Sequence, residues 1–173
     1  MTDVQLFITC LVDSFYPQTG EAIVDILRRL GLSVDFPHDQ TCCAQPAFNA
    51  GLRAEARPIA EHTIRVFERT RGDVVMPSGS CAHMIKHNYP ELFADDPIWL
   101  PSAKALGERV FEFTESIVDR LGVTDLCAHW DGVLTYHPSC HLSRGMGIDR
   151  QPRAVLANVR GATIVELRHE EEC

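Results

Sequence analysis

Short apolar runs alternate with longer amphipathic stretches along the whole 173-residue chain. A short apolar run bounded by turn residues is typical of a buried strand, whereas apolar residues that recur every three or four positions indicate a helix. Strands separated by helices favour right-handed βαβ units, and therefore an α/β fold with a mostly parallel sheet covered on both faces. The predicted strands are VQLFIT (4–9), LSVDF (32–36), DVVMP (73–77), GVLTYH (132–137) and ATIVELR (162–168).

Amphipathic segments fill the intervals between these strands. The segment FYPQTG (15–20) has the composition of a turn, and a helix is expected to begin at Glu21 and to end at Gly31. Ser80 stands where it would cap the helix that carries Cys81. Further helices are predicted over 49–70, 105–122 and 152–161.

The spacing of the cysteines indicates an internal duplication. There are 31 residues between Cys10 and Cys42, and 32 between Cys140 and Cys173. Each interval contains, in the same order, a turn, a helix, a strand and a polar loop. The same spacing around the same order of elements predicts a repeated unit.

The duplication predicts how the chain is divided. We expect a Rossmann-like, pseudo-duplicated α/β fold with a first cysteine-rich repeat at 1–122 and the start of a second at 123–173. Cys173 then corresponds to Cys42, and the counterpart of Cys43 would be the next residue. The second repeat is therefore expected to be incomplete, as if the chain were truncated at its C-terminus.

Four thiols follow the first three predicted strands: Cys10, the adjacent pair Cys42 and Cys43, and Cys81. Because loops at the carboxyl ends of parallel strands line one crevice, we expect these thiols to meet. Thiolates are soft ligands, and four of them satisfy either tetrahedral zinc or a four-iron, four-sulfur (4Fe–4S) cluster. No Cys-x2-Cys pair is present, and adjacent thiols can reach different atoms of a larger group, which favours an iron–sulfur cluster over zinc.

The other cysteine and histidine candidates are weaker. Cys127 lies in a loop outside the repeat and is most simply a packing or surface residue. His83 and His87 are one helical turn apart, a spacing that suits a metal, but without an acidic partner a solvated or capping role is favoured. At the two ends of HPSCH stand His137 and His141, which would donate hydrogen bonds to cluster sulfur or shuttle a proton.

Charge and composition exclude several classes of partner. The formal charge is −8 at pH 7 and no basic run occurs, so nucleic acid and anionic membrane surfaces are not expected as partners. The N-terminal apolar run is too short to span a bilayer and lacks a basic leader, so no transmembrane segment and a cytoplasmic location are expected. Seven cysteines would stay reduced there, which favours metal or redox roles over disulfides.

Four stretches resemble the signature blocks of the cysteine-rich CCG-domain proteins: CLVDSFYPQTGEA, CCAQPAFNAG, PSGSCAHMIKHNYPEL and YHPSCHLSRGMGI. This family includes the B subunit of heterodisulfide reductase, the iron–sulfur subunit of glycolate oxidase and the lactate utilisation protein A group, and the resemblance is strongest to the last. It implies a two-lobed α/β fold with an iron–sulfur cluster bound by each repeat. By position, it implies first-cluster ligands at Cys10, Cys42, Cys43 and Cys81, and the first members of a second, incomplete site at Cys140 and Cys173.

Three features depart from the family pattern. Ala44 replaces the glycine that usually follows the paired cysteines, so a backbone with positive φ at this position would cost about 1 kcal/mol. Met84 stands where the wider motif has a further cysteine, which favours a conventional four-ligand cluster over a five-thiolate, non-cubane one. Members of the family continue past the position of Cys173, where a second paired cysteine completes the second site.

The resemblance implies a role in the oxidation of L-lactate or a related 2-hydroxy acid. The leading hypothesis is an iron–sulfur-binding, electron-transferring subunit of a cytoplasmic, multi-component L-lactate oxidation system, an oxidoreductase whose other iron–sulfur subunits would be the partners. Two alternatives remain open. One is a zinc-binding structural or assembly module with no redox role, and the other is a thiol–disulfide enzyme similar to heterodisulfide reductase.

Overall fold

The computed structural model of the chain describes residues 3–168 and has two compact units, Met1–Glu112 and Phe113–Cys173. The repeats predicted at 1–122 and 123–173 stay a prediction, because compact folding does not test an internal duplication. In the described part of the chain, no helix is both long enough and apolar enough to cross a membrane.

The first unit is a parallel sheet flanked by helices. Its described strands are β1 (Asp3–Leu6), β2 (Ser33–Asp35), β3 (Asp73–Met76) and β4 (Val110–Glu112). Its described helices are α1 (Cys10–Phe15), α2 (Pro17–Arg29), α3 (Gln45–Asn49), α4 (Arg53–Glu68), α5 (Gly79–His83), α6 (Tyr89–Leu92) and α7 (Trp99–Arg109), with a π-helical turn (Met84–Asn88) between α5 and α6. The strand order is β2–β1–β3–β4, and every pairing is parallel. The predicted α/β class with a mostly parallel sheet is confirmed.

The two central strands hold the core of this unit. The side chains of Val74, Val75 and Met76 in β3 are fully buried, which explains why a strand covered on both faces reads as a continuous apolar run. Just beyond β1, the ring of Phe7 lies 5.5 Å from that of Phe67 in α4. From β1 the chain passes to β2 on one side, and it then returns past β1 to β3 on the other. The carboxyl ends of β1 and β3 therefore flank the point where the strand order reverses, which is where open α/β sheets bind ligands.

The second unit contains a smaller parallel sheet. Its described elements are α8 (Phe113–Glu115), a π-helical turn (Ser116–Arg120), β5 (His129–Leu134), a further π-helical turn (His141–Gly145), α9 (Arg150–Leu156) and β6 (Arg160–Ile164). The strands β5 and β6 pair in parallel, as expected for a βαβ unit. The predicted strand at 132–137 begins earlier in the structure, at His129.

The helix predicted over 105–122 is wrong, because β4 interrupts it. Leu106, Val110, Phe113 and Ile117 recur at helical spacing, and this periodicity favoured a continuous helix. In the structure, α7 ends at Arg109 and the next three residues pair with β3. A β-branched and an aromatic residue suit a strand, and pairing along the edge of β3 outweighs the helical period.

Two further predictions need correction. The segment 15–20 is not a turn, because Pro17 opens α2, and its fixed φ suits the first position of a helix. The helix predicted over 49–70 begins later, as α4 at Arg53, since Gly51 has a φ of 79° and no right-handed helix continues through that conformation.

Candidate metal centre

The four thiols predicted to meet lie on three connections at the carboxyl edge of the first sheet. Cys10 is the first residue of α1, Cys42 and Cys43 precede α3, and Cys81 lies in α5 after β3. All four line one pocket with a volume of about 340 Å³. The Sγ atoms of Cys10 and Cys42 are 3.9 Å apart. The structure therefore brings together cysteines that are up to 71 positions apart in the sequence.

A left-handed residue turns the chain immediately after the cysteine pair. Ala44 has a φ of 68° and a ψ of 3°, and it precedes the first residue of α3. Its carbonyl accepts a hydrogen bond from the N–H of Phe48 at 3.0 Å, which starts that helix. Ala44 is also 1% exposed. The turn thus takes the conformation for which glycine is the usual residue, with a buried methyl group added.

A buried tyrosine supports the pair from the core. The hydroxyl of Tyr89 donates a hydrogen bond to the carbonyl of Cys43 at 3.1 Å, and the side chain of Thr63 also hydrogen-bonds to this phenol. Burial raises the pKa of Tyr89 well above its ordinary value, so the phenol remains a donor. Sequence reasoning missed this role, because Tyr89 reads as one more apolar residue of a helix.

Gln40 holds the loop that leads into the pair. Its Nε2 donates to the carbonyls of Leu6, at 3.1 Å, and Pro37, at 2.9 Å. Its Oε1 accepts a hydrogen bond from the N–H of Ile8 at 2.7 Å. The sequence gives no signal for this role beyond a polar residue shortly before the cysteines.

Two serines surround Cys81. Ser78, rather than the predicted Ser80, caps α5, and its Oγ accepts a hydrogen bond from the N–H of Cys81 at 3.5 Å. The hydroxyls of Ser78 and Ser80 are 3.1 Å apart, and both hydrogen-bond to the sulfur of Cys81. This arrangement stabilises negative charge on that sulfur.

The Cys43 thiol lies between the sulfurs of Cys42 and Cys81. Its hydrogen bond is the largest factor that lowers the pKa of Cys42 to about 5. The N–H groups of Ala44 and Cys43 lower this pKa further, and burial acts in the opposite direction. The Cys43 thiol is likewise the main factor that lowers the pKa of Cys81, again against burial. Hydrogen bonding between its single S–H and these two sulfurs, together with burial, raises the pKa of Cys43 itself. Burial and the neighbouring Cys42 raise the pKa of Cys10.

Hydrogen bonding and burial shift the pKa values of the four thiols of this pocket in opposite directions, two down and two up. The pKa values of Cys42 and Cys81 are lowered, which favours their thiolate forms, while those of Cys43 and Cys10 are raised. Thiolates are the form in which cysteine binds metals and clusters, so the surroundings favour the metal-binding form at two of the four donors. Among residues 3–168, no group of three or more His, Cys, Asp or Glu side chains is arranged as ligands of a metal ion. The four sulfurs border a shared pocket, and soft donors around such a volume fit an iron–sulfur cluster in their chemistry.

Of the other cysteine and histidine candidates that the structure describes, none is among the residues that line this pocket. Cys140 is half-buried, and its Sγ is 3.6 Å from the Nδ1 of His141. Cys173 lies outside the described residues. Cys127 is exposed, as expected for a surface cysteine, and the rings of His83 and His87 are 5.0 Å apart.

Comparison with known sequences gives one family and a group of relatives. The sequence model of the cysteine-rich domain family CCG matches residues 4–86 and 134–173; these segments contain every cysteine except Cys127. Lactate utilization protein A of an Exiguobacterium species is 47% identical over 174 residues, which covers 100% of this chain and 71% of the relative. Lactate utilization protein A 1 of Bacillus cereus and lactate utilization protein A 2 of Bacillus anthracis are each 45% identical over 170 residues, or 98% of this chain and 70% of each relative.

Proposed function

The chain belongs to the cysteine-rich CCG domain family, and we propose that it is an iron–sulfur-binding, electron-transferring subunit of a system that oxidises L-lactate. The observation that carries the proposal is the meeting of Cys10, Cys42, Cys43 and Cys81 at one pocket. Four cysteines are the usual donor set of a 4Fe–4S cluster. The similarity to proteins named lactate utilization protein A supplies the physiological context.

The residues around the pocket have distinct roles in this proposal. Cys10, Cys42, Cys43 and Cys81 would hold the cluster, which supplies one-electron transfer when bound. The N–H groups of the turn around Ala44 and the hydroxyls of the two serines point to sulfur, and hydrogen bonds to sulfur adjust the reduction potential of such groups. Cys140 and Cys173 would be the first ligands of a second site.

The proposed protein works with others. An electron carrier needs a donor and an acceptor, and we assign these roles to further iron–sulfur subunits of the same cytoplasmic lactate-oxidising system. The balance of charge, −8 at pH 7, and the lack of basic runs in the sequence are consistent with protein partners rather than nucleic acid.

Anaerobic reconstitution tests the cluster. The full chain is incubated with ferrous iron, sulfide and a thiol reductant, and its iron, sulfide, absorption and EPR spectra are measured. We expect about four iron and four sulfide per chain. Replacing Cys42 and Cys43 together by serine should abolish uptake, whereas Cys127→Ser, which changes an exposed cysteine outside the pocket, should leave it unchanged. A wild-type chain that takes up no iron would overturn the proposal.

Zinc is the alternative that the same donor set favours, because four thiolates also satisfy tetrahedral zinc. The comparison requires protein purified without oxygen from its own host. About one zinc per chain and no reducible chromophore would identify a structural module. A thiol–disulfide enzyme would instead show a Cys10–Cys42 disulfide that is formed and reduced as its substrate is converted.

A further inference from the structure

On the side that faces β2, the strand β1 and the residues after it extend further than β2 does. The two strands pair in parallel as far as Gln5 and Asp35, and β2 ends at Asp35. Continuing this register by two residues would place Pro37 opposite Phe7. Proline has no N–H and cannot supply a donor to a parallel ladder. The strand β2 therefore ends where β1 could still form hydrogen bonds with one more peptide group.

Gln40 supplies the missing peptide group from its side chain. In a parallel ladder, a single residue of the neighbouring strand bonds the carbonyl before, and the N–H after, the residue that it faces. The groups on either side of Phe7 are the carbonyl of Leu6 and the N–H of Ile8. The carboxamide of Gln40 donates to the first at 3.1 Å and accepts from the second at 2.7 Å.

The same carboxamide bends the loop back toward the thiols. Its second N–H bond, to the carbonyl of Pro37 at 2.9 Å, closes the segment between β2 and Gln40 on itself. Ile8 lies two residues before Cys10, and Gln40 lies two residues before Cys42. The side-chain hydrogen bond therefore joins the two loops at positions two residues before each cysteine. The sulfurs of these two cysteines are 3.9 Å apart.

We propose that Gln40 is the positioning residue of the thiol site, and that its carboxamide sets the spacing between Cys10 and Cys42. In this role, which rests on the proposed cluster site, Gln40 touches no cluster atom; it preorganises two of the four ligands before the cluster arrives. An ordered ligand set loses less conformational entropy when the group is bound. Gln40 also lines a second pocket that includes Cys10 and Cys42 but neither Cys43 nor Cys81 among its described lining residues.

The equilibrium between the thiols and dithiothreitol measures this spacing without a cluster. The reduced, metal-free full chain is equilibrated with mixtures of oxidised and reduced dithiothreitol. In this exchange Cys10 and Cys42 give up two electrons and two protons to the oxidised reagent. The reaction is then stopped by alkylation, and the Cys10–Cys42 disulfide is counted by peptide mass mapping. The equilibrium constant reports the effective concentration of one thiol at the other.

Gln40→Met is the test variant, since it keeps the length of the side chain and removes its hydrogen bonds. We expect it to lower the equilibrium constant for the Cys10–Cys42 disulfide about tenfold. Gln5→Met is the matched control, because Gln5 is a buried glutamine of β1 whose Nε2 donates to the carbonyl of Arg71, at 3.0 Å, rather than to the cysteine loop. The control should lose stability but keep the wild-type constant. An unchanged constant in Gln40→Met, or an equal fall in Gln5→Met, would overturn the inference.

Gln40→Glu serves as a second variant if Gln40→Met does not fold. Its carboxylate still accepts from the N–H of Ile8 but cannot donate to either carbonyl, so the constant should fall here too. If neither variant folds, Gln40 is needed for folding as a whole and the positioning role is refuted. Iron uptake separates the two proposals: a wild-type chain without iron refutes the cluster, while a lowered constant in Gln40→Met would still support the spacing role.

Discussion

At the scale of single residues, Ala44 combines a strained backbone with a buried methyl group. A left-handed conformation costs a residue with a Cβ about 1–2 kcal/mol, and Ala44 has a φ of 68°. Burial of one methyl group returns about 0.8 kcal/mol. The turn that separates the cysteine pair from α3 is therefore formed at a small net cost in stability.

Replacing Ala44 by glycine should raise the free energy of unfolding by about 0.5–1 kcal/mol, because the relief of strain exceeds the loss of the methyl contact. Urea denaturation of the reduced, metal-free protein measures the change. Ala50→Gly is the control: Ala50 directly follows α3 with an ordinary φ of −75° and is exposed. This control should lose up to about 1 kcal/mol. A loss of stability in Ala44→Gly would show that the methyl contact matters more than the strain.

Tyr89→Phe should lower the free energy of unfolding by about 1–3 kcal/mol, because it leaves the carbonyl of Cys43 without its buried donor. Differential scanning calorimetry or urea denaturation gives the value. Tyr16→Phe is the matched control, since Tyr16 is 64% exposed and its loss of a hydroxyl should change stability by less than about 0.5 kcal/mol. Equal effects of the two changes would contradict the anchoring role of Tyr89.

The residue scale also shows which part of the site a sequence can reveal. The four thiols were predictable, because each cysteine follows a strand and the strand ends of a parallel sheet meet at one edge. Gln40 and Tyr89 were not predictable. Each acts through hydrogen bonds to backbone groups that are more than 30 positions away, and no local pattern encodes such a contact.

At the scale of elements, the start of α7 depends on one carboxylate. The Oδ1 of Asp96 accepts hydrogen bonds from the N–H groups of Ile98, at 2.8 Å, and Trp99, at 3.0 Å, which caps the first turn. The N–H of Trp99, then that of Ile98, and then the Arg57 guanidinium lower the pKa of Asp96 below its ordinary value of 3.8.

Asp96→Asn should destabilise the protein at pH 7 but not in acid. A group whose pKa is lower in the folded state adds stability that is complete above its unfolded pKa and is lost as the pH falls through the folded value. The difference between wild type and Asp96→Asn should therefore shrink below about pH 4 and vanish at lower pH. Thermal unfolding at a series of pH values checks this. Asp95→Asn, at the exposed neighbouring position, should track the wild type throughout, and a constant difference for Asp96→Asn would contradict the charge-based explanation.

The elements that the sequence predicted correctly are those whose signal is local. The strands β1, β2 and β3 were identified from apolar runs, because strands covered on both faces leave little room for polar residues. The strand β4 was missed, since only its place beside β3 makes those three residues a strand. The late start of the helix predicted over 49–70, at Arg53, depends on a single residue, Gly51, whose left-handed conformation is one that glycine permits but does not require.

At the scale of the whole molecule, all four thiols of the pocket belong to the first compact unit. The strands that carry them, β1 to β3, and the strand β4 that covers the far edge of β3 lie within Met1–Glu112. So do Gln40, which joins the cysteine loop to the carbonyl of Leu6 in β1, and Tyr89, which donates to the carbonyl of Cys43. Every contact that we assign to the proposed cluster site is therefore made inside this unit.

Residues 1–112, produced alone, should fold and take up the same iron per chain as residues 1–173. We expect one cooperative urea transition, because a single core of this size unfolds as a unit, and a content of about four iron per chain after anaerobic reconstitution. Residues 1–98 are the control. They lack α7 and β4, so the fully buried side chains of Val75 and Ile85 lose part of their cover, and this shorter chain should show no cooperative transition. If 1–112 folds but takes up less than half the iron of the full chain, ligands outside the first unit complete the site, and the four-thiol assignment is wrong.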